Sequence, residues 1–254
     1  MKINLIPMAG DGKRFVDGGY KTIKPLINTD GLPMVIRAAK SLPFADKYIF
    51  VCRKSHVINT NIEEIINYYF KNSVIIKIEK LTEGQAITCM KAKEHIPDDA
   101  ILTIGSSDND MNYDSNLANL IFEDASTDGF IWTFRNNQSV LQNPNMYGWV
   151  KVNKDKAISI SCKKAISNDP LNDHAIIGAF TFKKAKYFFD AVDKMVLENY
   201  RISNEFYVDV AVDFAIKNDL FFKVFEVDQY ICWGTPKDYE NYDYWLSYFK
   251  NRLL

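Results

Sequence analysis

The sequence predicts an α/β protein built on a mixed, mostly parallel central sheet with helices on both faces. In the first half, short apolar runs alternate with helical patterns, the signature of βαβ units. In the second half, strands follow one another with only turns between them, which favours antiparallel pairing. The chain of 254 residues, 47% apolar and 25% charged, is long enough for a full core. It holds no linker-like tract, low-complexity segment or internal repeat, so residues 1–254 read as one domain.

Ile3 to Met8 reads as the first strand. Pro33 is placed to open a helix running through Leu42, and Tyr48 to Cys52 follows as a strand. Ile62, Ile65, Ile66, Tyr69 and Phe70 fall at helical spacing, and Val74 to Ile78 is a run of mainly β-branched residues. Gly84 to His95 is expected to be helical, Ala100 to Ile104 a strand, and Leu117, Leu120 and Ile121 mark a further helix. Strands are expected at Phe130 to Phe134, Gly148 to Val152, Ala157 to Ser161 and Ala175 to Phe182. Helices at Lys184 to Leu197 and Asn204 to Asn218, a strand at Phe221 to Val227, and an aromatic helix from Pro236 complete the pattern.

Composition narrows the function. With 31 Lys and Arg against 32 Asp and Glu, the net charge is -1, which argues against nucleic acid as a partner. A membrane-spanning helix needs about 18 to 20 apolar residues. The longest apolar run, Ile176 to Phe182, is interrupted by Thr181, so no membrane role is expected. The N-terminus reaches Gly10 and Asp11 before a signal-peptide apolar region could form, and cytoplasmic localisation is the expectation. Cys52, Cys89, Cys162 and Cys232 are far apart, as are His56, His95 and His174, and neither set has metal-site spacing.

Chemistry concentrates in Gly10-Asp11-Gly12-Lys13-Arg14-Phe15, directly after the first strand, with Lys24-Pro25-Leu26 following. Ligands of open α/β sheets bind at the carboxyl ends of strands, where closely spaced glycines let backbone N–H groups close around phosphate. A Rossmann fingerprint would need glycine where Phe15 stands, and a P-loop would need Gly-Lys-Ser/Thr. Arg14 and Lys24 instead place fixed positive charge beside the loop, which suits a triphosphate. Asp108-Asn109-Asp110 at another strand end offers the hard oxygen ligands of magnesium, although such aspartates also make Asx-turns or cap helices.

The stretch Ile6-Pro7-Met8-Ala9-Gly10-Asp11-Gly12-Lys13-Arg14-Phe15 resembles the opening of the nucleotidylyltransferases that join a nucleoside triphosphate to a sugar phosphate or related phosphomonoester. Four further segments resemble the same family in order: Leu81 to Ala86, Ile104 to Asp108, Ser161 to Lys164, and Ile231 to Pro236 with its Gly-Thr-Pro turn. The chain also resembles capsule-type cytidylyltransferases that begin Ile-Pro-Met-Ala-Gly, such as the one acting on phosphorylated glutamine in capsular phosphoramidate synthesis.

The resemblance implies a single-domain, Rossmann-like nucleotidyltransferase fold of the GT-A kind. It also implies magnesium-dependent transfer of CMP from CTP to a small phosphomonoester with release of pyrophosphate. Carried over residue by residue, Ala9, Gly10, Asp11 and Gly12 would meet the triphosphate with Arg14, and Lys24 the α-phosphate region. Glu83, Gly84 and Gln85 would meet the base, Asp108 the metal, and Lys163 the acceptor phosphate. Cys162 stands where glutamate commonly precedes the acceptor lysine, and Cys232 where many relatives carry a second metal-binding aspartate. Asp228 and Asp110 are the nearby replacements to consider.

Glu205 and Asp209, on an expected helix, could reach an acceptor, although helix carboxylates are usually solvated. The aromatic C-terminal segment fits core packing or the contact of a homo-oligomer. Two rivals share this motif set: a metal-dependent glycosyltransferase using a nucleotide sugar, and a non-catalytic nucleotide-binding regulator. The glycine loop with Arg14 and Lys24 favours a triphosphate over the first, and pyrophosphate release separates the second.

Overall fold

The fold was obtained as a computed structural model, which describes residues 1–252. The first half supplies β1 (Lys2–Met8), α1 (Lys13–Asp17), β2 (Asn28–Thr29), β3 (Leu32–Pro33), α2 (Met34–Ser41), β4 (Lys47–Arg53), α3 (Lys54–Asn59), α4 (Ile62–Tyr69), β5 (Ser73–Ile78), α5 (Gln85–Met90), β6 (Ile101–Ile104), β7 (Asn109–Asn112) and α6 (Ser115–Glu123). The second half supplies β8 (Gly129–Phe134), α7 (Ser139–Gln142), β9 (Gly148–Asn153), β10 (Lys156–Cys162), β11 (His174–Phe182), α8 (Ala185–Leu197), α9 (Val208–Lys217), β12 (Phe222–Glu226), β13 (Gln229–Cys232) and α10 (Pro236–Lys250).

Nine strands form the central sheet in the order β5-β4-β1-β6-β11-β8-β12-β10-β9. The registers place seven of them in one direction, with only β10 and β11 opposed. Side chains on a strand alternate between the two faces, so Leu5 packs under α5, α8 and α9 while Ile6 packs under α2 and α4. Both faces are therefore covered, as the continuous apolar character of the strands requires.

A third apolar cluster positions the site. Phe15, Ile27, Met34 and Trp233 pack together and are almost wholly buried, pinning α1, the segment before β2 and the turn after β13 to one another. The short pair β7–β13 sets Cys232 opposite Asn109, and the Trp233 N–H donates to the Asp108 carbonyl at 2.9 Å. Thr235 then caps α10 in a reciprocal capping box with Asp238.

Two helices differ from expectation. The segment read as one helix from Gly84 to His95 is α5 followed by a 3-10 turn at Lys93–His95, and Gly84, at φ 120° and outside helical space, caps α5 rather than joining it. The helix expected from Asn204 begins at Val208: Ser203 and Asn204 are left-handed, and Ile202 and Glu205 exchange backbone hydrogen bonds across a tight turn. Glu205 is consequently not a helical residue. α1, α3, α7 and the β2–β3 hairpin lie outside the sequence-level reading because each is too short to show a period.

Candidate active site

A cleft of about 880 Å³ is lined by the glycine loop, Lys24, the segment after β6, the ends of β10 and β13, and the approach to α9. Of the residues singled out above, it gathers Gly10, Asp11, Gly12, Arg14, Lys24, Gln85, Asp108, Lys163 and Glu205. Ala9 is buried beneath the loop as part of the core. Gly12 starts α1 at φ 59°, and the Phe15 N–H closes on its carbonyl at 2.8 Å. A left-handed residue here suits glycine.

Lys24 is the centre of one end of the cleft. It sits on a single 3-10 turn, Lys24–Leu26, and its Nζ donates to Asp108 Oδ2 at 2.6 Å and to the Gly234 carbonyl at 3.1 Å. The ammonium also lies over the Phe15 ring, 5.1 Å from its centroid. Burial alone would raise the Asp108 carboxyl, but the Lys24 charge, hydrogen bonds from Lys24 and Ser106, and nearby Arg14 together hold it below the ordinary carboxylate value. The result is an ionised pair whose cation has one defined position at the cleft wall.

The donor set bears on a metal. No group of three or more His, Cys, Asp or Glu side chains able to hold a metal ion occurs among the described residues. Beside Asp108 stands Cys232, whose thiol is pushed up to about 11 by burial and by the Asp108 charge, and whose soft sulfur does not match the hard oxygen ligands of magnesium. Asp228 is exposed, bonds the Asn112 carbonyl through its backbone N–H, and is outside the cleft lining, so the second-ligand role is corrected. Asp110 is also outside the lining and has Arg37 3.8 Å away. The residues present thus fit a magnesium ion that arrives with substrate phosphates and meets one protein carboxylate, Asp108.

Two of the three residues read as base contacts are displaced. Gly84 is outside the cleft lining; a Cβ there would stand 2.5 Å from the Phe206 carbonyl oxygen and 2.6 Å from its nitrogen. Its glycine permits a backbone crossing, secured by hydrogen bonds from Phe206 N–H to the Glu83 carbonyl and from Ala86 N–H to the Phe206 carbonyl. Glu83 pairs with Arg201 at 3.2 Å, away from the lining. Gln85 alone of the three faces the cleft.

At the opposite end, Lys163 follows β10 in a left-handed conformation, φ 55°. Its Nζ lies 4.3 Å from the Tyr207 ring centroid and donates to the Tyr207 hydroxyl. Lys164 is exposed and outside the lining. Asp209, one of the two carboxylates that could reach an acceptor or be solvated, lines this end as well. Burial raises it to about 6; its own backbone N–H and the Lys163 charge offset only part of that. A Cβ on Gly148 would fall 2.0 Å from Asp209 Oδ2, so glycine is what leaves the carboxyl its space. Its turn-residue signal, Ser203-Asn204 ahead of the helix, was present in the sequence but was absorbed into the helix period.

No family model matches the sequence, and no curated protein does. Solved structures match along nearly the whole chain. A nucleoside-diphosphate-sugar pyrophosphorylase from Vibrio cholerae RC9 superposes with a TM-score of 0.75 at 19% identity, covering 94% of this chain and 98% of its own. The inositol-1-phosphate CTP transferase from T. maritima gives 0.72 at 14% identity, covering 96% and 95% respectively. The chain shares its fold with these two proteins. A UTP-bound UGPase from Acinetobacter baumannii gives 0.71 at 12%, covering 95% of this chain and 92% of its own. The central mixed sheet with flanking helices expected from the sequence is thus the arrangement these solved structures share.

The raised Asp209 carboxyl has a stability consequence. The folded chain holds this proton more tightly than the unfolded chain, whose aspartates titrate near about 3.9, so ionisation penalises the native state above pH 6. Asp209→Asn should therefore melt higher than wild type at pH 8, and the gap should close as pH falls from about 6 towards about 4. A melting difference that is the same at both ends of that range would contradict the assignment.

Proposed function

We propose that the chain, as one domain over residues 1–254, is a nucleotidylyltransferase that moves CMP from CTP to a small phosphomonoester and releases pyrophosphate. The observation that carries this is the Lys24–Asp108 pair at the meeting point of the glycine loop, the end of β6 and the Gly234 turn, in one cleft with Arg14 and Lys163. Fold likeness is in accord with it, and the T. maritima neighbour is itself described as a CTP transferase.

In this reading the backbone of Gly10 to Gly12 and the Arg14 guanidinium receive the β- and γ-phosphates, Lys24 the α-phosphate, Gln85 the base and Lys163 the acceptor phosphate. An oxygen of the phosphomonoester attacks the α-phosphorus in line; a new P–O–P bridge forms as the bond to the β-phosphate oxygen breaks. A phosphomonoester has its second pKa near about 6, so the attacking oxygen is already ionised at neutral pH and no general base is needed. What the protein supplies is position and fixed charge. Asp108 holds the Lys24 ammonium in place before substrate arrives, so little reorganisation is required as charge moves toward the leaving pyrophosphate. A magnesium ion held by Asp108 would, when bound, supply further neutralisation of the phosphate oxygens.

The acceptor belongs to the class of sugar phosphates and phosphorylated amino acids. The capsule-type resemblance points to phosphorylated glutamine among the latter, whose phosphoryl group is not an alcohol ester but keeps the ionised non-bridging oxygens that the attack requires. Asp209, Glu205 and Tyr207 surround Lys163 at the acceptor end and are assigned to the non-phosphate part of that molecule.

Variants divide the site. Lys24→Ala should lower the turnover number by about 10² to 10³ with the fold retained. Lys163→Ala should raise the KM for the phosphomonoester with little change in NTP affinity, and Lys164→Ala should do almost nothing. Steady-state pyrophosphate release checks all three, and near-normal turnover of Lys24→Ala would remove the central residue from the site.

The choice of base is checked separately. In the presence of magnesium, CTP should raise the melting temperature more than ATP or GTP, because a ligand that binds only the native state stabilises it. Equal shifts with all four nucleoside triphosphates would remove the pyrimidine assignment.

A further inference from the structure

The glycine loop carries an anion where a polyanion is proposed to bind. Asp11, between Gly10 and Gly12, lines the cleft, and a free carboxylate there would repel a triphosphate. Its carboxylate is instead paired with Arg53 Nη1, from the last residue of β4. Arg53 does not line the cleft, and its side chain is only 22% exposed. Asp11 is the only side chain it bonds among the described residues. Arg53 Nε and the neighbouring His56 Nδ1 are buried without a hydrogen-bond partner, so the guanidinium is held beside the loop at a cost rather than absorbed into a network.

Without Arg53, the loop would keep its shape-setting glycine at Gly12 but present a bare negative charge between the two glycines. We infer that Arg53 is a positioning residue for the nucleoside triphosphate: it cancels the charge of Asp11 and draws that carboxylate toward β4, leaving the loop backbone and Arg14 to meet the phosphates. This rests on the nucleotide reading given above. It adds a second sphere of charge control that the loop sequence does not reveal, since Arg53 is 42 residues from Asp11.

The test is the affinity of CTP, or of whichever common NTP wild type binds most tightly, measured by calorimetry in magnesium without acceptor. Arg53→Ala should weaken binding by about tenfold, and the loss should shrink as salt is raised, because the repulsion is coulombic and screened. Adding Asp11→Asn to Arg53→Ala should restore affinity to within about twofold of wild type, since it removes the charge that Arg53 no longer cancels. Arg53→Lys, which keeps the charge in a folded background, should stay within about threefold of wild type. Unchanged affinity in Arg53→Ala, or a double variant as weak as the single one, would overturn the inference. If wild-type protein binds no NTP at all, the nucleotide reading itself falls and takes this inference with it.

Discussion

The contact between Lys24 and Asp108 ties one end of the cleft together. Lys24 comes from a 3-10 turn that follows the glycine loop, Asp108 from the segment between β6 and β7, and the Gly234 carbonyl that shares the ammonium from the turn after β13. Three parts of the chain more than eighty residues apart meet at one nitrogen. Removing either charge leaves the other largely buried and unpaired, which is far costlier than never having built the pair. Phe15 beneath the ammonium and Trp233 beside it extend this point contact into a packed apolar base.

Around that anchor the cleft is organised by cancelled charge. Asp11 is offset by Arg53, Asp108 by Lys24, and Asp238 is engaged by the backbone and hydroxyl of Thr235. Glu205 and Asp209, at the opposite end of the cleft, have no salt-bridge partner among the described residues. Asp209 is partly buried there, and Gly148 keeps the space in front of it open. A fold that only needed stability would not hold such a group, and perturbed carboxyls of this kind gather where ligands bind.

Much of the architecture was legible because long elements announce themselves by period. β1, β4, β5, β6 and β8 were read to within one residue at each end, since apolar runs bounded by polar turns have few other readings. Short elements and left-handed turns were not. Ser203 and Asn204 break the approach to α9 by backbone geometry alone, which moved Glu205 off the helix and left Asp209 at its first turn. At the site, motif order placed Arg14, Lys24, Asp108 and Lys163 on the chain, and the fold brings them to one cleft. Gly84 shows the opposite case. A glycine in a binding motif stands there for a backbone crossing with Phe206, and a contact 122 residues away in sequence is invisible to spacing.

The claim on which the functional account turns is that a phosphomonoester oxygen attacks the α-phosphorus of a nucleoside triphosphate. It is tested most directly with a phosphomonoester acceptor carrying ¹⁸O in its non-ester oxygens, incubated with CTP, magnesium and the protein, and analysed by mass spectrometry. The account predicts that all the label stays on the acceptor phosphorus, including the new P–O–P bridge, and that the pyrophosphate released is unlabelled and equimolar with product. Label in the pyrophosphate, or CMP formed without incorporation of the acceptor, would contradict it.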